Sequence, residues 1–182
     1  MRVLVALAKG FEEIEAITVV DVLRRGGVEV CAVAMGETRL VLGSRGVTVQ
    51  ADRLWHEVST DDFDAIVLPG GAEGTRNLAE DERILETVRA FDRAGKWVAA
   101  ICAAPMVLGY AGILSGRKAT CYPSCEGPLG DAYVSDQKVV EDGNLVTSQG
   151  PGTAMDFALA LVSKFAGEET EIAVRNGLRP NG

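Results

Sequence analysis

Histidine is nearly absent from this chain, since one residue, His56, occurs among 182. A catalytic cysteine is usually activated by a neighbouring imidazole, so only one residue could serve that purpose. His56 lies in a Trp-His-Glu segment away from any turn that follows a predicted strand, and we interpret it as a surface residue. The sequence therefore argues against a histidine-based triad. No metal site is expected either, because Cys121 and Cys125 lack a histidine to complete a zinc ligand set.

Basic residues and long hydrophobic runs are also scarce. The chain has 18 basic and 26 acidic residues, a net charge of -8, and no basic stretch that would suit a nucleic-acid backbone. The opening apolar run soon meets Lys9 and a group of glutamates, so it is too short for a membrane span and lacks a signal-peptide cleavage region. Four cysteines without a regular framework indicate a reducing compartment. We expect a cytoplasmic protein without nucleic-acid or membrane partners.

Apolar runs and helical periodicity alternate along the chain, as in α/β proteins. Strands buried on both faces are predicted at residues 2–8, 28–34 and 64–68 and from residue 97. Helices are predicted at residues 12–25, 81–94, 154–165 and 168–176, with Thr153 as a cap. Shorter predictions are hairpins at 40–49 and 139–147, a strand at 118–121 and a loop at 122–135. Strand-helix-strand order predicts parallel pairing, hence a single domain over 1–182 with a mostly parallel sheet sandwiched by helices.

The segment Trp-Val-Ala-Ala-Ile-Cys-Ala-Ala-Pro predicts a strand that turns sharply into a helix straight after Cys102. Ala100 and Ala104 flank the cysteine where glycines flank serine in the G-x-S-x-G elbow, because a sharp turn brings those two positions close together. A helix N-terminus at this point favours thiolate over thiol. Most cysteines are simply small buried hydrophobes, as we interpret Cys31. Spacing alone therefore does not decide whether Cys102 is a nucleophile or a small buried hydrophobic residue.

Two further turns follow predicted strands, at residues 10–12 and 69–71. Ligands in open α/β sheets bind outside the carboxyl ends of the strands, so adjacent strands would gather these turns and Cys102 in one crevice. The N–H groups of Gly71 and Ala103 would then form an oxyanion hole. Alternatively, Gly70 and Gly71 serve only to let the backbone turn sharply.

The crevice would also receive carboxylates. Glu12 and Glu15 share a helical face, whereas Glu13 faces elsewhere. Burial and like charge would raise the pKa of a glutamate beside a thiolate, leaving it protonated and able to donate a hydrogen bond to sulfur. The helix N-terminus would instead lower the pKa of this glutamate, so a raised pKa is a hypothesis.

Four segments, at residues 8–15, 68–71, 99–105 and 147–153, resemble the ThiJ/PfpI family, and within it the branch of the Parkinson-disease protein and its bacterial relatives. The match covers nearly the whole chain with the same order and spacing. The resemblance implies a flavodoxin-like sandwich of the class I glutamine-amidotransferase type. It also implies a homodimer.

The resemblance implies roles for particular residues. Cys102 is the reactive, oxidation-prone cysteine and Glu15 the protonated glutamate bonded to it. The other implied positions are Gly71 and Ala103 facing the substrate oxygen, Glu12 as a second pocket carboxylate, and Arg25 and Arg45 near the dimer seam. Two departures matter. Ala103 stands where the peptidase branch has histidine, which argues against proteolysis, and Tyr122 replaces a pocket histidine before Pro123.

The implied function is cofactor-independent action on methylglyoxal or glyoxal, either free, as a glyoxalase, or bound to proteins as early adducts, as a deglycase. The substrate would be a small aldehyde or a glycated protein. A non-enzymatic alternative is a redox-sensing chaperone in which Cys102 is oxidised to sulfinic acid. A third is a fold relative with another small-molecule substrate, because fold does not fix function.

Overall fold

The computed structural model describes residues 1–179, so the last three residues of the domain predicted over 1–182 lie outside it. Its strands are β1 (Arg2–Leu7), β2 (Glu29–Ala34), β3 (Leu40–Leu42), β4 (Thr48–Gln50), β5 (Arg53–Leu54), β6 (Ala65–Leu68), β7 (Trp97–Ile101), β8 (Val139–Asp142) and β9 (Leu145–Ser148). Its α-helices are α1 (Glu13–Arg25), α2 (Ala72–Ala79), α3 (Glu82–Arg93), α4 (Pro105–Ala111), α5 (Ala154–Ala166) and α6 (Glu168–Leu178).

Seven strands form one sheet in the order β5-β2-β1-β6-β7-β9-β8. Every neighbouring pair in it is parallel except β8 with β9. Strands β3 and β4 form a separate antiparallel hairpin. The predicted α/β class with a mostly parallel sheet is confirmed.

Alternate residues of each strand enter two separate cores. In β1, Val3 and Val5 pack with α1, α5 and α6, whereas Leu4 and Ala6 pack with α2, α3 and α4. Because helices cover both faces, the strands appear in the sequence as unbroken apolar runs rather than as alternating patterns. Among residues 1–179, no helix is long and apolar enough to cross a bilayer.

The predicted bounds of the main strands and helices agree with the structure to within two residues at each end. Helix α2 was not predicted, because its eight residues carry Gly74 and a single large apolar side chain, Leu78. The helix after Cys102 was placed too early. It begins at Pro105, since a proline that lacks an N–H suits the first helical position.

Three smaller predictions were wrong in detail. Residues 118–121 form no strand but a single bridge, from Ala119 to Tyr133. The predicted loop at 122–135 contains 3₁₀ turns over Gly127–Ala132. Thr153 precedes α5, but its hydroxyl bonds the N–H and C=O groups of Gly150 instead of capping the helix.

Glu13 fixes the β3–β4 hairpin to the start of α1. Its carboxylate accepts hydrogen bonds from Ser44 Oγ at 3.0 Å and from the N–H groups of Arg45 at 2.7 Å and Val47 at 3.3 Å. Burial alone would raise the pKa of Glu13, but these hydrogen bonds outweigh it and lower the pKa. Glu13 therefore faces the hairpin, as its helical spacing relative to Glu12 predicts.

Candidate active site

The three turns predicted to share a crevice do so, because β1, β6 and β7 are neighbours in the sheet. Backbone hydrogen bonds join the first turn to the second, since the Glu12 N–H donates to Gly70 O at 2.9 Å and the Gly74 N–H to Gly10 O at 3.1 Å. The third turn, at Cys102, follows the adjacent strand β7. The sheet order thus brings together the functional groups of three turns that are distant in the sequence.

Cys102 occupies a strained elbow at the end of β7. Its φ is 65°, in the left-handed region that side chains other than glycine rarely adopt, which costs about 1–2 kcal/mol. Hydrogen bonds on both sides hold this conformation, with the Cys102 N–H donating to Ser148 O at 2.9 Å and its C=O accepting from the Tyr122 N–H at 2.8 Å. Ala100 and Ala104 are fully buried around the turn. The predicted elbow is present, and its strain marks a candidate functional residue.

Glu15 reaches this elbow from the first turn of α1 with none of its surface exposed. Its Oε2 accepts a hydrogen bond from the Gly70 N–H at 2.7 Å, and the carboxyl group lies beside the Cys102 thiol, close enough for each group to shift the pKa of the other. Oε1 has no hydrogen-bond partner within residues 1–179. A buried carboxyl with a free oxygen beside a thiol has the geometry of a proton donor and acceptor.

The environment of Glu15 raises its pKa to about 7. Burial is the main cause and the charge of Glu12 adds to it, while the hydrogen bonds from Gly70 and Cys102 act in the opposite direction. The sequence left the sign of this shift open, and the structure shows that burial and like charge prevail. Near neutral pH, Glu15 can therefore both accept and release a proton.

The pKa of Cys102 is raised to about 12, whereas the sequence predicted that the helix N-terminus would favour the thiolate. The expectation fails because α4 starts three residues later and because burial and the neighbouring Glu15 oppose a second charge. The N–H groups of Gly71 and Ala103 hydrogen-bond the sulfur and partly offset this effect. Because the thiol is the weaker acid of this coupled pair, any negative charge that the two groups hold at neutral pH resides on Glu15 rather than on sulfur.

Gly71 and Ala103 present the two amides expected of an oxyanion hole. Gly71 has a φ of 92°, and a Cβ on it would overlap the carbonyl of Gly10, so only glycine fits there. Since both N–H groups approach the Cys102 sulfur, they also lie near an oxygen on any carbon bonded to it.

We expect Gly70→Ala to destabilise the protein by about 1–3 kcal/mol, because overfilling a packed site forces its neighbours apart. A Cβ at residue 70 would lie 2.5 Å from Cys102 Cβ and 2.7 Å from Glu15 Oε2. Denaturant unfolding measures the change. Gly36→Ala is the matched control, since a Cβ there meets no atom within 4 Å. Equal stability of the two variants would show that the crevice has room at Gly70.

The structure also places the remaining predicted site residues. Glu12 caps α1, with its Oε2 accepting from the Glu15 N–H at 2.8 Å, and it is buried beside the crevice. The Tyr122 backbone N–H donates to Cys102 O at 2.8 Å, while its half-exposed ring lies over Gly150. Arg25 pairs with Asp21 on α1.

Two other sequence interpretations have structural outcomes. His56 is exposed beside β5, as expected for a surface residue. Cys121, interpreted as a loop thiol, is instead buried in the core, whereas Cys125 is half-buried. Within residues 1–179, no group of three or more histidine, cysteine, aspartate or glutamate side chains could hold a metal ion.

Comparisons with known proteins agree with this arrangement. The DJ-1/PfpI family model matches residues 1–164. The chain is 43% identical to protein dj-1beta of Drosophila melanogaster over 177 residues, 96% of this chain and 95% of that protein. The crystal structure of Drosophila melanogaster DJ-1beta matches with a TM-score of 0.94 and 42% identity, covering 97% of this chain and 96% of that chain. A deglycase from Pyrococcus abyssi is 40% identical over 154 residues, 84% of this chain and 92% of that protein. By sequence and by fold, the chain belongs to the DJ-1/PfpI family.

Proposed function

We propose that this protein is a stress-response enzyme in which Cys102, without a cofactor, attacks reactive 2-oxoaldehydes such as methylglyoxal or their early adducts on proteins. The observation that carries the proposal is the fully buried Glu15 carboxyl held beside the Cys102 thiol at the elbow. The similarity to a protein named a deglycase supports a stress-response function of this family type.

The first step is addition of sulfur to the aldehyde carbon. The Cys102 proton passes to Glu15 as the C–S bond forms and the carbonyl π electrons move onto oxygen. The N–H groups of Gly71 and Ala103 stabilise this oxyanion, and Glu15 then returns the proton to it, which gives a hemithioacetal and restores the carboxylate. Sulfur loses its proton only as its bond to carbon forms, so no free thiolate is needed. A thiol with a raised pKa can therefore react in this way.

The second step moves a proton between the two carbons of the former dicarbonyl. Glu15 removes the proton from the carbon bonded to sulfur and delivers it to the neighbouring carbon, while the hydroxyl proton of the hemithioacetal passes to the oxygen of the former ketone. This converts the hemithioacetal into a 2-hydroxy thioester. Water then hydrolyses the thioester, releasing the 2-hydroxy acid and restoring the thiol. One carboxyl performs both transfers in sequence, so no imidazole is required at the position of Tyr122.

The direct test is formation of lactate from methylglyoxal by the purified protein, before and after alkylation of Cys102. Mass spectrometry identifies the alkylated residue. We expect lactate to form and alkylation to abolish it. Lactate formation that survives complete alkylation of Cys102 would exclude the proposed nucleophile.

A second candidate function is redox sensing. Two peroxide molecules would convert the Cys102 thiol to a sulfinic acid and release two water molecules. The Gly71 and Ala103 amides and a protonated Glu15 could all donate to the sulfinate oxygens, which is the observation that favours this function. Protection of an unfolding client protein that depends on peroxide, in a preparation that forms no lactate, would identify the protein as a sensor instead.

A homodimer is proposed from the resemblance and from one exposed apolar surface. This α1–hairpin face consists of Ile14, Ile17, Leu40, Leu42 and Val47, all exposed in the single chain. Arg45 lies in the hairpin turn and Arg25 at the end of α1, and the proposal places both near the dimer seam.

We expect Ile17→Glu to convert the dimer into a monomer, because burying a carboxylate in an apolar interface is strongly unfavourable. Ile172→Glu on α6 is the matched control, since Ile172 is also an exposed helical isoleucine but lies outside the α1–hairpin face. Light scattering on a sizing column gives the mass of each variant. A monomeric parent protein, or a dimeric Ile17→Glu variant, would contradict this assembly.

A further inference from the structure

A groove that the proposed reaction does not use lies between α2 and α4. Its volume is about 500 Å³, within the range of ligand sites. The apolar part of its wall consists of Ala72, Ala79, Ala103, Met106, Tyr110 and Cys125.

The groove begins at the catalytic elbow. Ala72 directly follows Gly71, and Ala103 directly follows Cys102 and supplies the second amide of the oxyanion hole. Cys102 and Gly71 do not themselves line the groove, but their neighbours Ala103 and Ala72 do, so the groove starts within one residue of the reacting sulfur on both sides. Methylglyoxal, with only a methyl group on its ketone carbon, would leave the groove unfilled.

The chemistry of the wall favours a neutral, apolar occupant. Its two charged residues, Arg76 and Glu80, have opposite signs and lie exposed at the rim. Burial raises the pKa of Cys125, which keeps its thiol neutral. Thr75 is 4% exposed and its hydroxyl has no partner within residues 1–179, so the wall also holds one unused hydrogen-bonding group.

We infer that this groove is a specificity subsite for the arm of the substrate, and that the enzyme prefers 2-oxoaldehydes whose ketone carbon carries a bulky apolar group, such as an aryl ring. The inference rests on the proposed function, because it assumes that the aldehyde carbon bonds to Cys102. Burying an aryl arm lowers the free energy of the bound transition state in proportion to the apolar area removed from water.

Phenylglyoxal and methylglyoxal are the probes, compared by kcat/KM on the full-length protein. We expect phenylglyoxal to be preferred by at least about tenfold, as for other apolar specificity pockets. Ala79→Phe fills the groove away from the elbow and should lower the value for phenylglyoxal at least about tenfold while changing that for methylglyoxal less than about twofold. Ala90→Phe on α3 is the matched control, because Ala90 is an exposed helical alanine outside the groove.

Tyr110→Ala keeps the test valid if Ala79→Phe does not fold. Tyr110 is half-exposed, so its loss opens the groove without creating a core cavity, and the preference for phenylglyoxal should shrink. Cys102-dependent turnover of both aldehydes without any preference, or a preference that Ala79→Phe and Tyr110→Ala leave intact, would overturn the subsite alone. Turnover that persists in Cys102→Ser would overturn the proposed function itself, which separates the two failures.

Discussion

Cys102→Ser is expected to lower kcat/KM for methylglyoxal by at least about a thousandfold. A serine hydroxyl is a much weaker acid and a weaker nucleophile than a thiol, so transfer of its proton to Glu15 as the bond to carbon forms is far less favourable. The replacement is almost isosteric and leaves the elbow hydrogen bonds to Ser148 and Tyr122 in place. The lost rate therefore reports the chemistry of sulfur rather than a change of shape.

Cys31→Ser is the matched control for this variant. Cys31 is a half-buried thiol on β2, outside the three turns that form the crevice. We expect its turnover to equal that of the parent protein, as measured by lactate formation. A Cys102→Ser protein that retains parental turnover would place the reaction elsewhere in the chain.

Glu15→Gln is expected to lower kcat/KM at least about a hundredfold, because glutamine keeps the shape of the carboxyl but transfers no proton. In the parent protein, kcat/KM should rise as the pH passes about 7, where Glu15 becomes able to accept a proton. This limb of the pH profile should disappear in the variant. A merely structural glutamate would leave the profile unchanged in shape.

The same variant should be more stable than the parent protein above neutral pH. Between the ordinary pKa of 4.5 and about 7, the unfolded state has released the Glu15 proton while the native state retains it. The native state then binds more protons, so the free energy of unfolding falls as the pH rises through this window, by about 3 kcal/mol at most. Glutamine removes this loss. Denaturant unfolding at pH 5 and pH 8 should show the advantage of Glu15→Gln at pH 8 alone.

Glu13→Gln is the control of opposite sign. Since hydrogen bonds from the hairpin lower the pKa of Glu13, its charge stabilises the fold above the ordinary pKa, and this contribution is lost as the pH falls through the lowered value. The glutamine variant should therefore be less stable than the parent protein at pH 8. A gain in stability for both variants would show that any neutral side chain in the first turn of α1 has the same effect.

The position of the site could be predicted from the sequence because it depends on local rules. Small residues around Cys102 predict an elbow, and the spacing of Glu12 and Glu15 places both on the crevice side of α1. Turns that follow neighbouring parallel strands must then meet at one edge of the sheet. The structure shows these three features together.

The ionisation of the site could not be predicted in the same way. The pKa of Cys102 depends on how deeply the thiol is buried and on the charge of a carboxyl far away in the sequence, and neither property is local. The depth of Cys121 in the core was missed for the same reason. Helix α2, which supplies one wall of the groove, carries too few apolar residues for its periodicity to be detected.

The complete burial of Glu15 also bears on how this protein would change over generations. A charged carboxyl in that position lowers the stability of the fold at neutral pH, and a neutral residue would restore it. A gene copy released from selection for turnover is therefore expected to lose Glu15 early while its fold persists. For the same reason, a laboratory selection for heat resistance alone would enrich inactive variants, so each round should include an assay of turnover.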